Sequence, residues 1–154
     1  MNLELLKRFV FGAPPKRIEH ALFGTALLME TTSGAYWEIE TVLWDRPFTV
    51  LIETHGEQEP TLEQVEFYQR FTDDPDAAFM FARRLLIKEY EEWTRSSFPS
   101  QWKVAFAFVG LTIPHAGDPQ NDWDLSFECL MDRSGHQFTC YIENGMPSYV
   151  SVDG

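Results

Sequence analysis

Two runs of alternating residues, joined by a short turn and followed by an Asn-Gly corner, constrain this chain more than any other feature. From Asp124 to Met131, Leu125, Phe127, Cys129 and Met131 fall on one side; from Gln137 to Glu143, Phe138, Cys140 and Ile142 do the same. A period of two describes a half-buried strand. Asp132-Arg133-Ser134-Gly135-His136 has turn composition, and Asn144-Gly145 is a hairpin signal because both residues tolerate positive φ. The expected product is a three-stranded meander ending in Pro147 to Val152. Its last register has two solutions. A two-residue turn places Tyr149 with Cys140 and sends Val150 and Val152 to the other face, whereas a three-residue loop with a bulge reverses that.

The pattern recurs upstream. Leu22 to Glu30 is strand-like and Thr32-Ser33-Gly34-Ala35 a turn. Tyr36 to Leu43 then carries Trp37, Ile39, Thr41 and Leu43 on one side and Glu38 and Glu40 on the other. Asp45-Arg46-Pro47 turns the chain into Phe48 to Glu53, completing a second meander. Thr61-Leu62-Glu63-Gln64 reads as a capping box, so a helix begins near residue 61 and runs to about 71, with Leu62, Val65, Tyr68 and Phe71 as its apolar stripe. Asp73-Asp74-Pro75-Asp76 starts a second helix, about 75 to 95, whose buried stripe is Phe79, Ala82, Leu86, Tyr90 and Trp93. Trp102 to Val109 alternates large and small residues, as a central strand buried on both sides does. Pro114 to Asn121 is the longest loop. Asn2 to Phe11 has the stripe of a short helix, ended by Gly12-Ala13-Pro14-Pro15. The economical fold is α+β: antiparallel β-meanders forming a sheet with two helices packed on one face. The expected organisation is one domain over residues 1–154, with 1–20 an N-terminal helix and Pro-rich connector and 22–154 the core.

A domain of this length buries roughly 68–70% of its unfolded surface, so it needs no staples. Cys129 and Cys140 lie on inward faces of consecutive strands; buried free thiols in a reducing cytoplasm are the favoured state, with a cross-strand bridge as the alternative. No apolar stretch reaches the length of a membrane span, and Phe9-Val10-Phe11 is too short for a signal-peptide core, so the protein is read as cytoplasmic. The chain carries 24 acids against 12 bases, a net charge of −12. Residues 30–92 hold fifteen of those acids and five bases. Such a field repels phosphate and anionic membranes, attracts a basic protein, and also confers solubility.

Sequence motifs of catalysis are missing: there is no Gly-x-Ser-x-Gly elbow, no glycine-rich phosphate loop, and no base beside either cysteine. Ser134 and His136 are too close along the chain to form a dyad. The histidines, His20, His55, His115 and His136, are scattered, and only His115 with Asp118 suggests a metal-binding pair. The reading is therefore a non-enzyme with no cofactor or metal. Five tryptophans are more than a small core requires, and Trp44 and Trp123 stand at turns or strand ends, where an exposed indole suits a protein-binding hot spot or sugar stacking.

The C-terminal order, a strand to Asp132, a Gly135-His136 turn, a strand, then Glu143-Asn144-Gly145 and a short strand ending Val152-Asp153-Gly154, resembles a loosely defined group of small bacterial α+β proteins. The upstream meander, Pro60-Thr61-x-x-Gln64 and paired helices are also similar. Members are often encoded beside polymorphic toxins and regarded as candidate immunity proteins, so the resemblance implies a toxin inhibitor and offers no catalytic residue. Charge and aromatic content point to a basic protein partner, and taken with what the resemblance implies the expectation is an acidic module that occludes a basic toxin, such as a nuclease. Its contact surface is expected on Glu57, Glu59, Glu63, Glu66, Asp73, Asp74 and Asp76, with Trp44 as anchor. Two other readings are a carbohydrate-binding or hydrolytic domain using exposed tryptophans and an acid pair such as Glu38 and Glu40, and an interaction module of a larger assembly.

Overall fold

The computed structural model describes residues 14–154. The expected helix from Asn2 to Phe11 lies outside them. The chain forms β1 (Arg17–His20), β2 (Gly24–Thr31), β3 (Gly34–Leu43), β4 (Arg46–Thr54), α1 (Leu62–Asp73), α2 (Pro75–Thr94), a single turn α3 (Trp102–Ala105), β5 (Phe106–Ile113), a 3-10 turn at His115–Gly117, β6 (Trp123–Cys129), β7 (Gln137–Glu143) and β8 (Met146–Asp153). All eight strands form one mixed sheet in sequence order. The class is α+β, dominated by sheet.

Every neighbouring pair is antiparallel except β4 and β5, which run parallel, Thr49 beside Gly110 and Ile52 beside Ile113. The expectation of an antiparallel sheet is corrected at this seam. Parallel neighbours need a long crossover, and α1 and α2 supply it between β4 and β5. The connector around residue 17 is also corrected: Arg17–His20 is a strand, pairing Arg17 with Leu27 and His20 with Gly24.

The core takes alternate residues of the strands, including Trp37, Ile39, Phe48, Val50, Ile52, Phe127, Phe138 and Cys140, with a change of phase at the β5 bulge between Phe108 and Leu111, together with Phe67, Phe71, Phe79, Leu86 and Tyr90 of the helices. Phe71 stacks on Phe48 at 5.9 Å and meets Phe108 edge-on at 5.0 Å, while Tyr90 meets Phe106 at 5.7 Å. The α1 stripe keeps Tyr68 and Phe71 buried and Val65 packed on the core, as expected, and departs from the expectation at its start. Leu62 is 69% exposed, and the buried residues are Gln64, Phe67, Tyr68 and Phe71, because a period of 3.6 rather than three carries the stripe around the helix. In α2, Phe79, Ala82, Leu86 and Tyr90 are buried. Trp93, expected beside them, is 46% exposed at the helix end and donates Nε1–H to Asp132 at 3.4 Å.

Three further segments depart from the expected boundaries. Trp102–Ala105 is helical because the Trp102 ring stacks on Phe79 at 4.7 Å while its Nε1–H reaches Asp76 Oδ1 at 2.7 Å, contacts that coil the chain before β5 begins. β6 stops at Cys129, where the next residue's amide donates to Ala105 at 2.8 Å, so Met131 leaves the sheet and is exposed. At the last hairpin a two-residue Asn144-Gly145 turn pairs Glu143 with Met146, and an extra residue, Ser148, then brings Tyr141 to Tyr149 and Cys140 to Val150. The turn is the short one, yet the bulge reverses the parity, so Val150 and Val152 pack against the core.

Candidate functional site

The β3–β4 hairpin closes with Leu43 opposite Arg46, which leaves only Trp44 and Asp45 in the turn. The turn was expected at Asp45-Arg46-Pro47; it falls one residue earlier, and Pro47 pairs with Val42 inside β4. A two-residue turn of this hand requires positive φ twice, normally Asn-Gly. Here φ is 50° at Trp44 and 60° at Asp45. The left-handed conformation costs a residue bearing Cβ roughly 1–2 kcal/mol. Packing opposes that cost: the Trp44 indole lies 5.7 Å from Phe71, 5.9 Å from Phe108 and 6.4 Å from Phe48. Even so, Trp44 remains 44% exposed. Strain maintained by surrounding structure concentrates where a side chain has to be presented.

Trp44 borders a groove of about 440 Å³ that it shares with Pro75, Trp102, Phe108 and Leu130. Arg46 and Lys103 line it too, and both are paired: Arg46 with Glu128 at 3.1 Å, and Lys103 with Asp76 at 3.2 Å. The Trp102 indole N–H and then the Lys103 ammonium hold the Asp76 carboxyl below the usual aspartate range. A second groove, about 310 Å³, lies between Phe67, Phe71, Ala78, Phe81 and Trp123, with Arg70 and Asp74 among its walls. Phe71 touches Trp44 and lines this second groove. The α1–α2 junction thus separates two aromatic hollows, Asp74 on one and Pro75 on the other.

Of the residues expected at the contact surface, Trp44, Asp73, Asp74 and Asp76 gather at this end of the molecule. Glu57, Glu59, Glu63 and Glu66 do not. Glu57 and Glu59 follow the opposite end of β4, where Glu57 pairs with Lys16 at 2.8 Å. Glu63 is in the first turn of α1 and Glu66 one turn further on. A twelve-residue helix is about 18 Å long, so the acids form a string rather than a patch. Within the cluster their duties differ. Asp74 accepts from the Ala77 amide at 3.0 Å as the N-cap of α2, and Asp76 is held by Trp102 and Lys103. Asp73, the last residue of α1, is exposed. Trp102, Phe81 and Leu130 were not foreseen at the site. No local signal marks them, because Trp102 and Lys103 meet Asp76 only across 26 and 27 residues of chain.

The strand residues that point away from the core carry acids. Burial raises the carboxyl of Glu38, and the neighbouring Glu40 charge adds to it. Burial likewise raises Asp124, which accepts a hydrogen bond from Thr112, and raises Glu53, with the Asp124 charge second. The fold also brings together two histidines far apart in sequence, His55 and His115, with ring centroids 3.9 Å apart. His136 pairs with Asp132 against the edge of Trp93. Among the described residues, no three His, Cys, Asp or Glu side chains converge as metal ligands, and no helix is long and apolar enough to cross a membrane. Cys129 and Cys140 are buried and free; burial, followed by the Asp124 charge, pushes the Cys140 thiol up to about 12. No known protein family, curated protein or solved structure matches the chain.

Proposed function

We propose that this protein binds a basic protein partner through its Trp44 end, and that it acts in the cytoplasm as an immunity protein, occluding a secreted bacterial toxin such as a nuclease. The observation that carries the reading is the Trp44 indole, half-exposed on a strained turn, with aromatic hollows beside it and Asp73, Asp74 and Asp76 at the adjoining helix junction. In this arrangement two helices form one layer on the sheet, and their junction and the β3–β4 turn make a single contact surface. A net charge of −12 steers a cation at long range, and desolvated aromatic anchors hold it afterwards.

The test looks for a secreted toxin in the reading frames beside this chain's gene and, where one is present, uses it. Co-expression is expected to rescue cells from that toxin, and added salt to slow association sharply. Trp44→Ala is expected to speed dissociation by about thirtyfold, the value of a hot-spot residue near 2 kcal/mol. Asp73→Lys is expected to slow association instead. Rescue that survives Trp44→Ala unchanged, or an association rate indifferent to salt, would remove the reading.

A further inference from the structure

The two edges of the sheet are built differently. β1 is four residues long and carries Arg17 and Glu19, paired with each other at 3.0 Å, a short charged strand of the kind that discourages further pairing. β8 is eight residues long, contains no Lys or Arg, and among the described residues pairs with β7 alone. Pro147 and the bulge at Ser148 interrupt only its first half. From Tyr149 to Asp153 the register against β7 is unbroken, Tyr149 opposite Tyr141 and Asp153 opposite Gln137. The row of backbone groups on the outer side of that stretch is a template for another strand.

We propose that this edge pairs with β8 of a second copy of the chain, antiparallel about a two-fold axis at Ser151. The regular stretch is five residues long and Ser151 is its midpoint, so a two-fold there uses all of it. Opposite residues of an antiparallel pair share a face, and this centre obeys that rule: Ser151 meets its symmetry mate, Val150 meets Val152, and Tyr149 meets Asp153. The two valines already lean on the core, so each pair extends that apolar side across the new seam. On the other side Tyr149, 49% exposed and stacked at 4.5 Å on Tyr141, receives the strand's only carboxylate. Like charges therefore never stand opposite each other, which makes the strand complementary to itself. Opposing this is the net charge of −12 on each copy, a long-range repulsion that salt screens. The dimer strengthens with salt, the reverse of the toxin contact proposed above, and uses a different part of the molecule.

Sedimentation of the full chain over a dilution series, at low and high salt, reads this directly. The expected result is reversible dimerisation, favoured at high concentration and high salt and abolished in Ser151→Lys. Single-cysteine substitutions test the register, because residues directly opposite have Cβ atoms about 4.5–5.5 Å apart, close enough for oxidation to join them. Ser151→Cys is expected to give a disulfide-linked dimer, and Tyr149→Cys, which faces residue 153, is not. Both positions are at the sheet edge, and circular dichroism checks that each variant is folded. A monomer at every concentration and salt, a dimer that persists in Ser151→Lys, or equal cross-linking at both positions would overturn the proposal.

Discussion

Gln64 shows how much of this fold can rest on one polar side chain. It is buried, it completes the capping box by accepting from the Thr61 amide at 3.1 Å, and its Nε2 donates to the carbonyls of Glu53 at 2.7 Å and Pro114 at 3.0 Å. One amide thus ties α1 to the end of β4 and to the loop after β5. Gln64→Leu removes both of these hydrogen bonds and the capping acceptor, although the Pro114 carbonyl keeps the Gly117 amide at 3.0 Å, and should cost about 2 kcal/mol, seen as a lower urea midpoint. Asp124 gives a prediction of the opposite sign. Its pKa is raised in the folded state, so the native protein holds the proton more tightly than the unfolded chain. Stability then falls as pH rises from the ordinary aspartate value through the raised one, and levels off above it. Asp124→Asn should therefore stabilise the protein at neutral pH, and the advantage should vanish in acid below the ordinary aspartate range. Urea unfolding of both proteins across pH checks this; an advantage that persists undiminished in acid would contradict it.

Among elements, the α1–α2 junction has a structural task and a proposed recognition task that can be separated. Asp74 stops α1, with its amide donating to Arg70, and starts α2 as its N-cap. Losing that cap in Asp74→Ala should lower stability by about 1 kcal/mol, whereas Asp73→Ala should leave the unfolding midpoint within about 0.5 kcal/mol of the parent. Asp73 is accordingly the position at which charge can be altered without disturbing the helices. A partner-binding defect in Asp73→Ala with unchanged unfolding would assign the junction to recognition; normal binding would restrict it to structure. The β3–β4 turn makes the same point from the sheet. Trp44 and Asp45 occupy the places where Asn and Gly would be least strained, and the price is met by aromatic packing on Phe71 and Phe108.

For the whole molecule, the negative charge acts in both proposed contacts with opposite sign. A basic partner is drawn in from a distance and a second acidic copy is pushed away. Raising salt at fixed protein concentration should consequently slow toxin association while shifting the monomer–dimer balance toward dimer. Sedimentation and association kinetics in the same buffers separate the two. Parallel salt trends would mean that charge does not govern at least one contact.

The sequence by itself determined the alternation in β3, β4, β6 and β7, the capping box at Thr61, the start of α2 at Asp74-Pro75 and the Asn144-Gly145 turn. Each depends on neighbours within a few residues, through pleat, helix period and the φ preferences of turn residues. It also placed Trp44 and the junction acids on the chain, though not beside one another. Tertiary structure alone decided the parallel β4–β5 seam, the coiling of Trp102–Ala105 around Asp76 and Phe79, the bulge at Ser148 that turned Val150 and Val152 inward, and the separation of Glu57, Glu59, Glu63 and Glu66 from Trp44. In each case the controlling contact joins residues distant in sequence or offsets a local preference. No spacing along the chain records such a contact.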